Sequence, residues 1–304
     1  MIASKIYIKF NAEINQARSI SNLFGNLYNL DCFSEIKRRV MPELPDVEVF
    51  RQIFNSTALN QKIAKVDVLD DGILENISSR AFEIRMKNAT FQSTHRHGKY
   101  LFVELDTEKT LMIHFGMTGY LEYIKDGDKE PEYSRIIFNL KNGYNLYYVC
   151  PRKLGRVSLV EDEADFIEEN KLGPDTYSDD FKWEDFREIM KGKRGSIKTA
   201  LMDQKFLAGI GNIYSDEILF HSNIYPFTEV NVLNEEELKT IFEKMRMVFE
   251  QAIKAEVKVE KFPKNFLLLK RSEGEECPIC GGKIKREKYS GRSSYYCEAH
   301  QKKK

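Results

Sequence analysis

The residues whose types and spacing most clearly suit chemistry are Cys277-Pro-Ile-Cys280, followed after sixteen residues by Cys297-Glu-Ala-His300. Two-residue gaps let both donors of a pair reach one tetrahedral ion, and the long gap accommodates a hairpin. Gly281-Gly282 supplies a tight turn after the first pair. The spacing predicts one zinc ion held by Cys277, Cys280, Cys297 and His300, a closed site that stabilises a small module and does no chemistry itself. Arg292 lies five residues before Cys297, beside a Ser290-Gly291 turn. A metal-held hairpin tip would present its guanidinium rigidly, as phosphate recognition requires.

Two other clusters are chemically suggestive. In Leu207-Ala-Gly-Ile-Gly-Asn212 the glycines permit a tight turn and a helix starts near Asn212. Free backbone amides and the helix dipole make such a start an anion site, although the same glycines also suit a plain connector. Thr94-His-Arg-His-Gly-Lys-Tyr100 precedes a strand, and four of its seven side chains can be cationic. It reads equally as a solvated strand end or a phosphate contact.

These groups need elements to position them. Pro45 and Asp46 mark a helix start, with Val47, Phe50 and Phe54 on one face. Residues 60–160 read as β, with runs at Lys99–Leu105, Thr110–Phe115, Arg135–Lys141 and Tyr144–Val149. Asn142-Gly143 between the last two predicts a two-residue hairpin turn with positive φ at both positions. Several short strands with regular turns predict a sandwich or barrel. After about Glu161 the pattern turns helical. Asn234 is placed to cap a helix running to about Ala255, whose Leu238, Ile241, Phe242, Met245, Val248, Phe249 and Ile253 form a core stripe. The order is β domain, helical domain, Cys-bearing module.

Composition sets the outer limits. The 304 residues are 42% hydrophobic and 31% charged, which suits a soluble chain of two domains and a small module. No apolar run approaches a membrane span. Forty-seven basic residues balance forty-seven acidic ones, yet the last 24 residues carry a local balance of +6. Five cysteines, three of them clustered, do not form a disulfide framework and suit a reducing compartment. Residues 1–40 have no long apolar core and no sustained period, so they do not read as a secretory signal.

Taken in order, the motifs resemble those of formamidopyrimidine-DNA glycosylases. The pieces are Met41-Pro-Glu-Leu-Pro-Asp-Val-Glu48, His97-Gly-Lys99, His114-Phe-Gly-Met117, Pro151-Arg-Lys-Leu-Gly155, Ile197-Lys-Thr-Ala-Leu-Met-Asp-Gln-Lys205, Gly209-Ile-Gly-Asn212 and the cysteine module. The resemblance covers residues 41–304. It implies an α+β multidomain fold with an N-terminal β-sandwich (42–165), a helix-two-turn-helix domain (166–263) and a C-terminal zinc-finger hairpin (264–304). It implies a base-excision glycosylase and abasic-site lyase acting on oxidised purines in damaged double-stranded DNA. The expected chain is a monomer, cytoplasmic and nucleoid-associated in a prokaryote, with no membrane partner.

The resemblance also implies roles. Pro42, as a free secondary amine, would be the nucleophile and Glu43 the acid at the sugar ring. Lys99 and Lys198 would support catalysis. His114, Asn212 and Arg292 would contact DNA, while Met117, Arg152 and Leu154 would fill the gap left by a flipped nucleotide. The chemistry agrees, because an enzyme acting at the anomeric carbon must extrude the nucleotide and offset the lost stacking. An amide nitrogen cannot be the nucleophile, so residues 1–41 are expected to be an extension absent from the working enzyme. The chain departs from the family pattern at His300 (usually Cys), Leu154 (usually Phe) and Cys150 (usually Asp). The stretch Glu256–Glu276, where the family carries the loop closing over 8-oxoguanine, is short. Two rival readings remain: an endonuclease VIII-like preference for oxidised pyrimidines, and a non-catalytic damaged-DNA-binding protein if the extension stays attached.

Overall fold

The computed structural model describes residues 42–289 and 291–304; the expected extension lies outside the described residues. Helix α1 (Leu44–Thr57) starts where Pro45 and Asp46 predict, with the Asp46 carboxylate accepting the Glu43 N–H at 3.0 Å. Its Val47, Phe50 and Phe54 are buried.

Eight strands and one helix follow. They are β1 (Ile63–Val68), α2 (Ser79–Met86), β2 (Phe91–His97), β3 (Tyr100–Leu105) and β4 (Thr110–His114). Then come β5 (Tyr120–Lys125), β6 (Ser134–Leu140), β7 (Tyr144–Val149) and β8 (Arg156–Val160). Two antiparallel four-stranded sheets result, in the orders β1-β6-β7-β5 and β2-β3-β4-β8. Phe91 of one sheet meets Phe138 of the other at a 5.9 Å ring separation, and Phe82 of α2 closes on Phe138 at 6.3 Å. Helix α2 interrupts the stretch read as continuous β; Ser78 caps it through the Ala81 N–H, and Phe82 and Met86 face the core.

The β6–β7 hairpin forms as expected, but its turn differs. Of Asn142 and Gly143, only Gly143 has positive φ (83°), and its N–H donates to the Leu140 carbonyl at 3.3 Å. One left-handed residue after an ordinary turn gives a longer loop than the two-residue type, and Asn142 avoids the strained conformation.

Helix α3 (Glu163–Glu169) covers the outer face of the second sheet, where Phe166 joins Phe102 and Met112. The boundary expected at 165/166 therefore falls inside α3. Beyond it lie α4 (Trp183–Met190), α5 (Ile197–Met202), α6 (Asn212–His221) and α7 (Glu235–Lys254). Helices α5 and α6, joined by the turns of residues 203–211, form the helix-two-turn-helix pair. Asn234 and Glu237 cap α7 reciprocally at 2.9 Å, and Ile241, Met245, Val248 and Phe249 are buried as the stripe predicts. Helix α1 packs on β2 and on α7, so it spans both halves. Strands β9 (Ile284–Tyr289) and β10 (Arg292–Cys297) make the C-terminal hairpin. No described helix is long and apolar enough to cross a membrane.

Helix α6 is the element on which neighbouring pieces converge. Fully buried Asp216 accepts from Lys198 Nζ (2.5 Å), from Arg271 (2.7 Å) and from the Tyr295 N–H (3.2 Å). Glu217 takes the N–H groups of Leu267 and Leu268 at 2.9 and 2.8 Å. Two acids inside the apolar run Ile213–Phe220 thus tie α5, β10 and residues 267–271 to one helix. Asp216→Ala should lower stability by roughly 3–5 kcal/mol, because Lys198 and Arg271 would stay buried without a counter-charge. Urea denaturation reads this directly; a loss below about 1 kcal/mol, as for surface pairs, would show that water reaches the cluster.

Candidate functional site

Glu43 is fully buried, and beyond the capping box it shares with Asp46 its side chain reaches another element. It crosses to α6. Oε2 accepts the N–H groups of Gly211 (2.8 Å) and Tyr214 (3.2 Å), and Oε1 accepts that of Ile213 (2.8 Å). The helix start near Asn212 is thus an anion site, the less favoured of the two readings of its glycines, a plain connector being the other, and the anion in it is a carboxylate of the chain itself. The glycines make the approach possible. A Cβ on Gly211 would lie 2.3 Å from the Glu43 carboxyl carbon, and one on Gly209 (φ +114°) would lie 2.4 Å from Leu44 Cδ1. The Leu44 N–H donates to the Gly209 carbonyl at 3.1 Å, which completes the clamp. Half-buried Pro42 immediately precedes it.

Electrostatics link this carboxylate to groups from all three parts of the chain. Burial pushes the Glu43 carboxyl above its ordinary value, against the opposing pull of Lys99 and the three amides. Burial pushes Lys99 down, with Glu43 opposing and Arg292 adding to the depression. Lys99, Glu43 and the finger-tip Arg292 therefore share one field. Arg292 is exposed, and it opens β10 at the hairpin tip.

The rest of the predicted cationic cluster has another use. Arg96 pairs with Asp175 and with Glu48 of α1 (3.1 Å), and Asp175 also accepts the Gly98 N–H at 2.6 Å. His97 Nε2 lies 2.8 Å from the Gly173 carbonyl. These residues are neither a solvated strand end nor free for phosphate; they bind the β2–β3 turn to the segment leading into the helical half.

Lys198 and Asn212 are also engaged within the chain. The Lys198 ammonium donates to Asp216 and to Ser294 Oγ (2.7 Å), and Asn212 Nδ2 donates to the Ser293 carbonyl at 3.0 Å. Both hold the finger against the helix pair. Asn212 Oδ1 is buried without a hydrogen-bond partner among the described residues. Asp216 and Arg271, the partners behind this arrangement, were missed by sequence reasoning; for Asp216 the available signal was a pair of acids between Ile213-Tyr214 and Ile218-Leu219-Phe220, and Arg271 had none.

The three expected wedge residues come together on two loops. Met117 lies between β4 and β5, and Arg152 and Leu154 lie between β7 and β8. The Arg152 N–H donates to Thr118 Oγ1 at 3.3 Å. Gly116 (φ +62°) fits so tightly that a Cβ would meet the Leu154 carbonyl carbon at 2.3 Å. Arg152 is exposed and Leu154 is 48% exposed. In the finger, the sulfurs of Cys277, Cys280 and Cys297 lie within 4.8 Å of one another and could hold a metal ion. A Cβ on Gly282 would stand 3.1 Å from Cys297 Sγ and 3.3 Å from Cys280 Sγ, so glycine leaves the cradle open. His300 is outside that trio, with Nε2 3.0 Å from the Phe220 carbonyl.

His114 gives a pH test. Its Nδ1 accepts the Gly116 N–H at 3.3 Å, which leaves the ring proton on Nε2. Burial, then Lys99 and Arg156, pushes its pKa down to about 4. An unfolded histidine titrates near 6.5, so between those values the unfolded chain takes up a proton that the folded chain refuses. Stability should fall as pH drops from about 6.5 and level off below about 4, and His114→Gln should flatten that slope. Unfolding free energies measured across this range check it; an unchanged slope in the variant would assign the effect elsewhere.

Comparison with known proteins agrees with this geometry. The family model of the formamidopyrimidine-DNA glycosylase N-terminal domain matches residues 41–157, and that of the formamidopyrimidine-DNA glycosylase H2TH domain matches residues 172–263. The formamidopyrimidine-DNA glycosylase of Pelotomaculum thermopropionicum is 33% identical over 274 residues, covering 86% of this chain and 99% of that protein. That of Heliobacterium modesticaldum is 33% identical over 278 residues, covering 86% and 100%. Among solved structures, Lactococcus lactis Fpg in complex with DNA containing an abasic site superposes with a TM-score of 0.78 at 26% identity, over 86% of this chain and 100% of that one. Two family models that together match most of the described residues, and relatives 33% identical over nearly their whole length, show that this chain belongs to the formamidopyrimidine-DNA glycosylase family.

Proposed function

We propose that this base-excision repair glycosylase removes oxidised purines from duplex DNA and then cuts the strand as an abasic-site lyase. The observation that carries the reading is the Glu43 carboxylate, adjacent to Pro42 and held on the α6 amides within the field of Lys99 and Arg292. Oε2 has two amide partners and Oε1 one, so Oε1 keeps the freer lone pair for substrate. A carboxyl raised by burial holds a proton more readily, which suits an acid acting on the sugar ring oxygen.

In the proposed reaction the Pro42 lone pair attacks C1′ and the bond to the base breaks, its electron pair leaving with the base, which takes up a proton. Glu43 protonates O4′ as the ring opens, the Pro42 N–H proton is lost, and an iminium forms. Loss of the C2′ proton then expels the 3′ oxygen, and a second elimination expels the 5′ oxygen. Lys99, whose ammonium is destabilised by burial and which shares the field of Glu43, is assigned the role of supporting proton movement at the site. Met117, Arg152 and Leu154 fill the vacated stack, and His114, Asn212 and Arg292 grip the backbone. Lys198 acts as a positioning residue through Asp216. Borohydride should trap a covalent adduct on abasic DNA with protein beginning at Pro42, and Pro42→Ala should trap less efficiently. A chain still carrying residue 41 should not trap, since its Pro42 nitrogen is an amide. Full-rate trapping by that longer form would move the nucleophile elsewhere.

We assign the finger one zinc ion. The three sulfurs supply thiolate donors, and His300 is the fourth: with Nε2 donating to the Phe220 carbonyl, Nδ1 remains for metal. Bound zinc supplies folding free energy and no chemical step. Elemental analysis should find one zinc per chain, and His300→Cys should retain it; active protein without zinc would refute the assignment.

We assign the lesion preference to the stretch Glu256–Glu276. Val257, Phe262, Phe266 and Leu267 are buried, and Glu217 pins the Leu267 and Leu268 amides. Little chain is left to close over a base. Formamidopyrimidines and abasic sites should therefore react faster than 8-oxoguanine in single-turnover assays. Equal rates on all three would mean that another segment reads the 8-oxo group.

A further inference from the structure

A cavity of about 400 Å³ lies between α5 and the finger tip, lined in part by Lys198, Met202, Lys205, Tyr289 and Arg292. That volume falls in the range of small-ligand sites. Lys198 is engaged with Asp216, whereas Lys205 and Arg292 have no ion-pair partner among the described residues. The one carboxylate on the wall, Asp203, accepts the Lys205 backbone N–H at 3.1 Å. The cavity therefore offers two available cations.

Beside them stands an aromatic face with no part in the proposed reaction. Tyr289 and Arg292 are directly opposed across the β9–β10 ladder, so their side chains leave the hairpin on the same side. Tyr289 remains 42% exposed. Phe227 backs its ring at 4.8 Å, and Phe227 in turn packs against Tyr225 at 5.2 Å. The exposed ring is thus braced from behind and has a cation next to it.

Paired cations and an apolar ring face complement a nucleotide whose base is free of its stack. A fully paired duplex offers phosphates to the cations but keeps its base faces covered. An unpaired base exposes the face on which aromatic side chains stack. We propose that this cavity is a nucleotide subsite, in which Arg292 and Lys205 hold a phosphate and Tyr289 stacks an unpaired base flanking the lesion. The enzyme is thereby suited to lesions in locally melted or mismatched DNA as well as in intact duplex. The proposal rests on the glycosylase reading above.

The test measures binding of the full chain to two duplexes carrying a tetrahydrofuran abasic analogue, one fully paired and one with mismatched bases flanking the lesion. The quantity read is the ratio of the two affinities. Tyr289→Ala and Tyr289→Leu should each lower the preference for the mismatched duplex about tenfold, while Tyr289→Phe should keep it. If Leu serves as well as Phe, the ring packs on sugar and the stacking assignment is overturned. An equal loss on both duplexes likewise overturns it, by making Tyr289 a general backbone contact. Failure of the glycosylase reading would look different: the wild-type chain would show no preference for tetrahydrofuran DNA over undamaged duplex of either kind.

Discussion

The carboxylate of Glu43 on the amino end of α6 is the contact from which the rest of the arrangement follows. An isolated carboxylate in a protein interior costs several kcal/mol, so it is sustained only where hydrogen bonds and favourable dipoles surround it. Three amides and the positive end of α6 meet that need, and no side-chain donor would do so as compactly. The partners lie 168 to 171 residues apart in the chain. Their union places the start of α1 against the helical half while the rest of α1 packs on the sandwich. Whatever distance and angle separate the two halves must be compatible with this one clamp.

Helix α6 is consequently loaded with charge along its length. Glu43 sits at its start, Asp216 and Glu217 point from its middle, and the Phe220 carbonyl faces His300 near its end. Each contact draws in a different segment. The finger is fastened through Lys198, Ser294 and Tyr295, so the tip bearing Arg292 has a fixed relation to the same helix that holds Glu43. The buried Glu43 carboxylate and the exposed Arg292 guanidinium thereby share a single rigid reference.

Some of this was legible in the sequence, and the division has a physical basis. Local signals were reliable: the cap at Asn234, the β6–β7 hairpin, the cysteine pairs and the helix start at Asn212 all depend on neighbours within a few residues. Long-range partners were not. Nothing local distinguishes Arg96, which is committed to Glu48 and Asp175, from an arginine facing solvent. The anion site before Asn212 was visible, but its occupant was not, because spacing cannot tell a distant carboxylate from an incoming phosphate. The turn at Asn142-Gly143 was misjudged for a smaller reason: one left-handed glycine suffices in a longer loop, so the asparagine is spared. The tie of Leu267 and Leu268 to Glu217 needed coordinates, since those partners lie 50 and 51 residues apart in the chain.

The fit of Gly116 against the backbone of Leu154 has a kinetic meaning. Two loops that each wandered freely would have to be ordered together in every binding event that used them, and that ordering would weaken and slow it. Here the missing Cβ lets them lock in advance. The loop carrying Met117 and the loop carrying Arg152 and Leu154 are thereby held in one register in the free chain, and no ordering of these two loops remains to slow a binding event.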